Sequence, residues 1–480
     1  MENNDKTTRR DMLKTAAFSA GLFLCGGCER TNAQQYGRGG GPGRKAPLPI
    51  AADNPAIQHH MNRCKQCGKC QTFCRTTTTV FGQAVPAGEE GCIHCGQCTT
   101  YCPVLTEKFH YPAAAKAITA YDKIVVASTS PAIRVALGEM FRLPPGTNVE
   151  GKIVGALKKL GVDYVLDTTF SADVTIMEEA AELLLRLTTS DAKHPLPMFT
   201  SCCPGWVRFA KLFYPWLLPN LSTAKSPVMM QGALVKTYFA QKMKIDAGKI
   251  VHVALTPCTA KKAEILLPGM NAAGVLRKNP GMRDVDIALT CRELAYLLNE
   301  GKVDFAKTPD ADYDSLMGAG SGAGMIFGNT GGVMEAALRT AYKVLNGKNP
   351  PANFLTLRSV RGMDSVRQAS VDLGVRKLNV AVVHGIGKIR PLLETLRTGT
   401  RKFDFVEVMA CPGGCIGGGG QPVGTGANAK QLRLNALYQH DAKREVRLSC
   451  DNPEVQTLYE EFLGKPLGER SEKLLHIASR

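Results

Sequence analysis

The sequence predicts an α/β chain preceded by a small cysteine-rich unit, and three observations carry that reading. Its 480 residues suffice for about three domains, and 44% hydrophobic with 21% charged residues describes an ordinary globular protein. After Thr119 short apolar runs alternate with helical segments, the pattern of an α/β layer fold. "KIVVAS" and "LNVAVVHG" suit buried parallel strands, whereas "DVTIMEEAAELLLRL" and "GGVMEAALRTAYKVL" repeat apolar residues at helical spacing. Ahead of them, eight of the 17 cysteines fall between Cys64 and Cys102. That clustering points to metal sites rather than to the disulfide framework of a short secreted chain.

From the N-terminus, "TTRRDMLK" sets Arg9 and Arg10 before the apolar run "AAFSAGLFLCGG", which is too short for a stable membrane span. The pair resembles a twin-arginine export signal, the route of proteins that cross a membrane already folded. It implies an exported, periplasmic protein with the twin-arginine machinery as a partner. Residues 1–34 read as this leader, with Ala33 in "TNA" as a candidate cleavage position. A lipid-bearing Cys28 in "LCGGC", anchoring the chain at the outer face of the cytoplasmic membrane, is the alternative, although Cys25 occupies the place usually held by Leu. Residues 35–50 are Gly/Pro-rich and basic, a flexible linker. No other segment approaches roughly 18 apolar residues, so no retained span is expected. The net charge of +17 is spread along the chain without a long block. It suits a solvated basic surface or an anionic partner, and no nucleic-acid motif accompanies it.

Residues 51–115 hold the strongest spacing. "CKQCGKCQTFC" provides Cys64, Cys67, Cys70 and Cys74, and "CIHCGQCTTYCP" provides Cys92, Cys95, Cys98 and Cys102. This is C-x2-C-x2-C-x3-C twice, whereas zinc sites group cysteines in pairs. Three thiolates at that spacing wrap one cube and the fourth crosses to the other. One [4Fe-4S] cluster would take Cys64, Cys67, Cys70 and Cys102, the second Cys92, Cys95, Cys98 and Cys74. The stretch resembles a bacterial two-[4Fe-4S] ferredoxin, an α+β domain; Arg75, where Pro is frequent, leaves the ligands untouched. Such a domain conducts electrons but performs no chemistry on a substrate, so the catalyst lies downstream.

There, "FTSCCPGW" sets Cys202 beside Cys203. Adjacent side chains diverge, so the two are not expected to clasp one centre; a small buried pair is the plainer alternative. Further cysteines stand in "TPCTAKKAE" at 256–264 and "EVMACPGGCIGGGGQP" at 407–422. These stretches, with "SGAGMIFGNTGGVMEAALRTAY", resemble the signature motifs of the [FeFe]-hydrogenases, over a span from about Ile50 to the C-terminus. The resemblance implies a two-lobed α/β catalytic domain with parallel sheets, residues 120–430, and the active cluster in the cleft. It implies 2H⁺ + 2e⁻ ⇌ H₂ at an H-cluster, a [4Fe-4S] cube joined to a two-iron unit bearing CO, CN⁻ and azadithiolate. By position, Cys203, Cys258, Cys411 and Cys415 would hold the cube, with Cys415 as the bridging thiolate. Gly417–Gly420 would let backbone approach the cluster closely.

Within that resemblance Cys202 points towards the two-iron unit and exchanges protons with it. Glu179 and Glu182, three apart on one predicted helix face, join Ser222 and an intervening water in a relay from Cys202 to solvent. Without the resemblance the two glutamates would read as a solvated face. Lys261 fits the position that donates to a cyanide, and Lys262 reads as structural or surface. Pro131, Phe327, Val333 and Met409 match residues packed around the two-iron unit; plain core is the alternative. Implied partners are H₂ and protons, a redox carrier such as a ferredoxin or cytochrome, and hydrogenase maturation proteins. Residues 431–480 resemble the small subunit that is a separate chain in some exported relatives. Cys291 and Cys450 receive no role.

Four positions depart from the family pattern. Thr256 replaces a usual Met, Ser130 an Ala, and Ala132 a Ser that bonds a cyanide, while Val228 stands where other members carry Gln or Met. Two rival functions come from related proteins. An iron–sulfur assembly protein holds cubes without a two-iron unit, and such relatives lack the cysteine at the Cys202 position. A hydrogen sensor appends a signalling domain, for which the stretch after Lys430 leaves no room.

Overall fold

The structure, a computed structural model, describes residues 46–189 and 193–477. Arg9, Arg10, Cys25, Cys28 and the rest of the leader lie outside the described residues. Two short antiparallel strands, β1 (Ile57–His59) and β2 (Leu105–Glu107), bracket the eight-cysteine stretch, with Ile57 opposite Glu107. Leu48, Ala56, Ile57 and Leu105 pack around the buried Cys70 and Cys98, so the cysteines themselves form part of this unit's small core.

Two larger sheets follow. In the first, β3 (Ile124–Thr129) lies between β4 (Tyr164–Asp167) and β6 (Ile250–Thr256), and β7 (Ile287–Thr290) closes the edge, all parallel. Alternation along β3 sends Val125 and Ala127 to one face, among Ile153, Leu157, Leu294 and Leu298. Val126 goes to the other, among Phe170, Val174, Met230 and Leu234. Buried on both faces, this sheet needs helices on both sides, as its apolar runs require.

The second sheet runs β5 (Met198–Phe199), β10 (Phe405–Met409), β9 (Lys377–His384), β8 (Val366–Asp372). β5, β10 and β9 are parallel, but β8 is antiparallel to β9, so "LNVAVVHG" has a parallel neighbour on one side only. A tight turn between Asp372 and Lys377, closed by the Leu373 amide on the Arg376 carbonyl, leaves no chain for a parallel crossover.

The long helix Thr168–Thr188 packs between the two sheets and is capped by Asp167, whose carboxylate accepts from the Thr169 amide at 2.9 Å. Arg134, fully buried, holds that carboxylate in place at 2.7 Å. The C-terminal segment is no loose tail: Val455, Leu458, Leu474 and Leu475 are fully buried in the layer that contains Phe170 and Val174. No helix among the described residues is long and apolar enough to cross a membrane.

Candidate active site

The carboxyl ends of strands from both sheets open on one cavity. β3 leads into Ser130, Pro131 and Ala132; β6 ends on Thr256 and leads into Pro257 and Cys258. β5 leads to Cys202 and Cys203, and β10 ends on Met409 and leads into Cys411 and Cys415; all of these residues line the cavity. Sites in parallel α/β sheets sit at this end because the strand-to-helix loops gather there. Phe327 and Val228 complete its apolar wall. Val333 packs in the core layer shared by Cys202, Phe327 and Met409 but does not line the cavity. Thr256, Ser130, Ala132 and Val228 all do.

Five thiols therefore face one space. Burial pushes all of them above their ordinary range, and neighbouring thiols add to it for some: Cys258 and Cys203 raise Cys411, and Cys258, pushed up to about 11 first by burial, is raised next by Cys203. Such crowding disfavours thiolates unless a cationic centre lies among them. Among the described residues no three His, Cys, Asp or Glu side chains converge closely enough for a single metal ion. Five thiols lining one cavity are a donor set that fits a multinuclear iron–sulfur centre.

Lys261 brings a charge to the same wall. Its ammonium donates to Glu264 at 2.6 Å and to the Cys202 carbonyl at 3.2 Å, using two of its three donors. Burial opposes the ammonium, but Glu264 outweighs it and holds its pKa above the ordinary value. Lys262, by contrast, is fully buried away from the cavity in an ion pair with Glu293, so it is structural.

The Cys202 thiol is raised first by burial and next by the charge of Glu179, whose field reaches it. Glu179 and Glu182 are both buried on the helix Thr168–Thr188 rather than solvated. Ser222 donates to the Glu182 carboxylate at 2.7 Å, and the Thr223 amide lies 3.1 Å from each of its oxygens. Burial works against the Glu182 anion, yet Arg186 and these donors hold it below the ordinary carboxylate range. Arg186 was not singled out from the sequence. It bonds Glu182 through two nitrogens and reaches the carbonyls of Asn220 and Leu221. The Glu-x-x-x-Arg spacing on a helix was its available signal.

In the N-terminal unit a second cavity is lined by Cys74, Cys92, Cys95 and Cys98, three cysteines of the second run and the last of the first. Cys70 is raised by burial and, among its neighbours, by Cys102 and Cys64, so these thiols stand together. Cys67 is exposed. The stretch carrying Cys92–Cys98 is fastened to the loop after Cys415: Gln97 donates to the Gly417 carbonyl at 2.8 Å, and Arg292 spans Thr99, Gly419 and Gln421. Here the glycine run has its physical reason. A Cβ on Gly418 would lie 2.3 Å from the Pro257 carbonyl oxygen, and one on Gly419 2.3 Å from that of Cys95. The backbone comes close to other backbone, and Cys411 is near enough to raise the Cys95 thiol.

Comparison with known proteins agrees on one group. The family model described as "Iron only hydrogenase large subunit, C-terminal domain" matches residues 123–419, and "Iron hydrogenase small subunit" matches 427–478. The chain is 45% identical over 442 residues to the NADP-reducing hydrogenase subunit of Solidesulfovibrio fructosivorans, covering 88% of this chain and 74% of that one. It is 46% identical to the periplasmic [Fe] hydrogenase large subunit of Nitratidesulfovibrio vulgaris, over 68% of this chain and 75% of that one. A cytosolic iron-sulfur assembly component of Bos taurus is more distant, at 34% over 74% of each chain. A solved apo [FeFe]-hydrogenase variant from Chlamydomonas reinhardtii superposes with a TM-score of 0.68 at 39% identity, covering 78% of this chain and 99% of that one.

Proposed function

The chain belongs to the iron-only hydrogenase family and is an oxidoreductase acting on hydrogen, and from that membership we propose how its residues divide the work. Cys203, Cys258, Cys411 and Cys415 would hold the cube of an H-cluster, with Cys415 bridging to the two-iron unit. When bound, that group supplies the redox and acid–base chemistry that converts H₂ to two protons and two electrons and back. Pro131, Phe327 and Met409 keep water from it. Lys261 sets a positive charge beside its anionic ligands. Cys202 takes each proton and passes it by way of Glu179 and Ser222 to Glu182, at the outer end of the relay, which Arg186 keeps ionised and ready to accept. Cys74, Cys92, Cys95 and Cys98 would hold one [4Fe-4S] cluster and Cys64, Cys67, Cys70 and Cys102 a second, and these would supply the path for electrons. An external carrier, a ferredoxin or cytochrome, takes them up.

The observation that carries this reading is Cys202: a fifth thiol on the cavity beside the four assigned to the cube, and within the field of Glu179. A protein that only carried cubes would have no use for it, which counts against an assembly role despite the 34% relatives. Export by way of Arg9 and Arg10 belongs to the same proposal, in keeping with the periplasmic name of one relative. The test is infrared spectroscopy of anaerobic, matured protein alongside H₂-dependent reduction of methyl viologen. CO and CN⁻ bands together with turnover are expected. Iron–sulfur absorption without those bands would favour the assembly role.

A further inference from the structure

Among the described residues, the hydrogen-bond partners of the Glu178 carboxylate all come from the C-terminal segment. The Tyr459 hydroxyl donates at 2.5 Å, the Leu467 amide at 2.8 Å, and His476 Nε2 lies at 3.0 Å. Glu178 immediately precedes Glu179 on the long helix and is fully buried. The other ring nitrogen of His476 meets the Thr223 hydroxyl at 2.8 Å. Around this contact the chain pairs antiparallel with the stretch that follows Ser222: the Lys225 amide donates to Leu475 at 2.8 Å and the Ile477 amide to Thr223 at 2.9 Å. Thr223 is the residue whose own amide donates to Glu182. One imidazole thus joins the long helix, the Ser222–Thr223 turn and the C-terminal segment.

We propose that His476 is a positioning residue for proton transfer: acting through Thr223, it fixes the Ser222 hydroxyl and the Thr223 amide against Glu182. The inference rests on the relay proposed above and adds to it that docking of the C-terminal segment sets the proton affinity at its outer end. The charges facing His476 are Glu178 and Glu182 of the long helix and Glu472 of the helix Glu469–Leu475; Thr223 is neutral. Burial disfavours an imidazolium there, but Glu178, then Glu472 and Glu182, outweigh it and hold the ring above its ordinary range. In that state both ring nitrogens donate, and the Thr223 hydroxyl can only accept. Glu182 then faces two cations, Arg186 and His476, both favouring its ionised form.

The sign of the effect follows. Outward proton transfer needs Glu182 ionised, and inward transfer needs it protonated. His476→Gln removes a charge while keeping a polar side chain, so Glu182 should hold its proton to higher pH. The acid limb of H₂ oxidation, followed with methyl viologen, should move up by about one pH unit. The alkaline limb of H₂ evolution should move the same way, since both report one group. Infrared titration of the protonated Glu182 carboxyl band should show the same displacement, with iron content unchanged. T223V keeps the peptide amide and removes only the hydroxyl that the imidazole meets; it should shift both limbs in the same direction by less. If H476Q does not accumulate, T223V decides. Profiles of these variants that superimpose on the parent's overturn the proposal, given that E182Q abolishes most turnover. Full turnover in E182Q would show instead that the relay is wrong, and this inference would fall with it.

Discussion

Cys202 and Cys203 are neighbours with one chemistry and both line the cavity; the Cys202 thiol is also raised by the charge of Glu179, and in the proposed relay it takes the proton rather than the metal. Cys202→Ala should keep all iron and the CO and CN⁻ bands yet lose nearly all turnover, because only the proton step is cut; near-normal rates would overturn the relay. The altered wall gives a second expectation. Ala132 offers no hydroxyl where the family pattern has Ser, so a charge-assisted hydrogen bond worth about 1.5–3 kcal/mol is missing, and Thr256 brings a hydroxyl in place of a thioether. Ala132→Ser combined with Thr256→Met should move the cyanide bands and shift the ratio of oxidation to evolution towards evolution. An unchanged spectrum and ratio would mean that these positions do not tune the site. At this scale the cavity cysteines and the two glutamates proposed for the relay were singled out by motif resemblance. Arg186 and His476 were not. A lone Arg four residues after a Glu is ordinarily a surface pair, and nothing near His476 in the chain hints at a partner about 300 positions earlier.

Among the elements, the loop after Cys415 matters because it packs on the cysteine loop of the N-terminal unit. Gly419→Ala would push a methyl into the Cys95 carbonyl oxygen, so it should destabilise the protein by about 1–3 kcal/mol, as other overpacked sites do. It should also slow electron flow to an external carrier while both sets of clusters stay loaded, which stopped-flow reduction and electron paramagnetic resonance would separate. Loss of neither stability nor rate would show that the two loops can part freely. Hydrophobic periodicity was enough to find the strands Ile124–Thr129 and Lys377–His384 and the long helices. It could not give the direction of β8, because pairing is decided by the turn at 373–376 and by partners distant in sequence. The glycine run was legible as a need for closeness, but what it comes close to is peptide backbone, visible only once the two loops are brought together.

For the whole molecule, the C-terminal segment is part of the core. Leu475→Ala, at a fully buried position, should cost about 2–5 kcal/mol, read as a lowered denaturation midpoint; a change below 1 kcal/mol would show that the segment only rests on the surface. Export is the other expectation at this scale. Lys at both Arg9 and Arg10 should strand active enzyme in the cytoplasm, since a cluster-loaded chain must fold before it crosses; undiminished export of the double variant, by cell fractionation, would exclude the twin-arginine route. The long helix links these matters to the order in which the protein is made. Its Asp173 accepts from Ser449 and Asn452, and its Glu178 from Tyr459, Leu467 and His476. A ribosome delivers those partners 276 to 298 residues after the carboxylates they bond. Until then two carboxylates destined for the interior lack them, and the layer over the helix is incomplete. The core over the long helix is therefore completed only by residues made long after the catalytic motifs' first strands and helices.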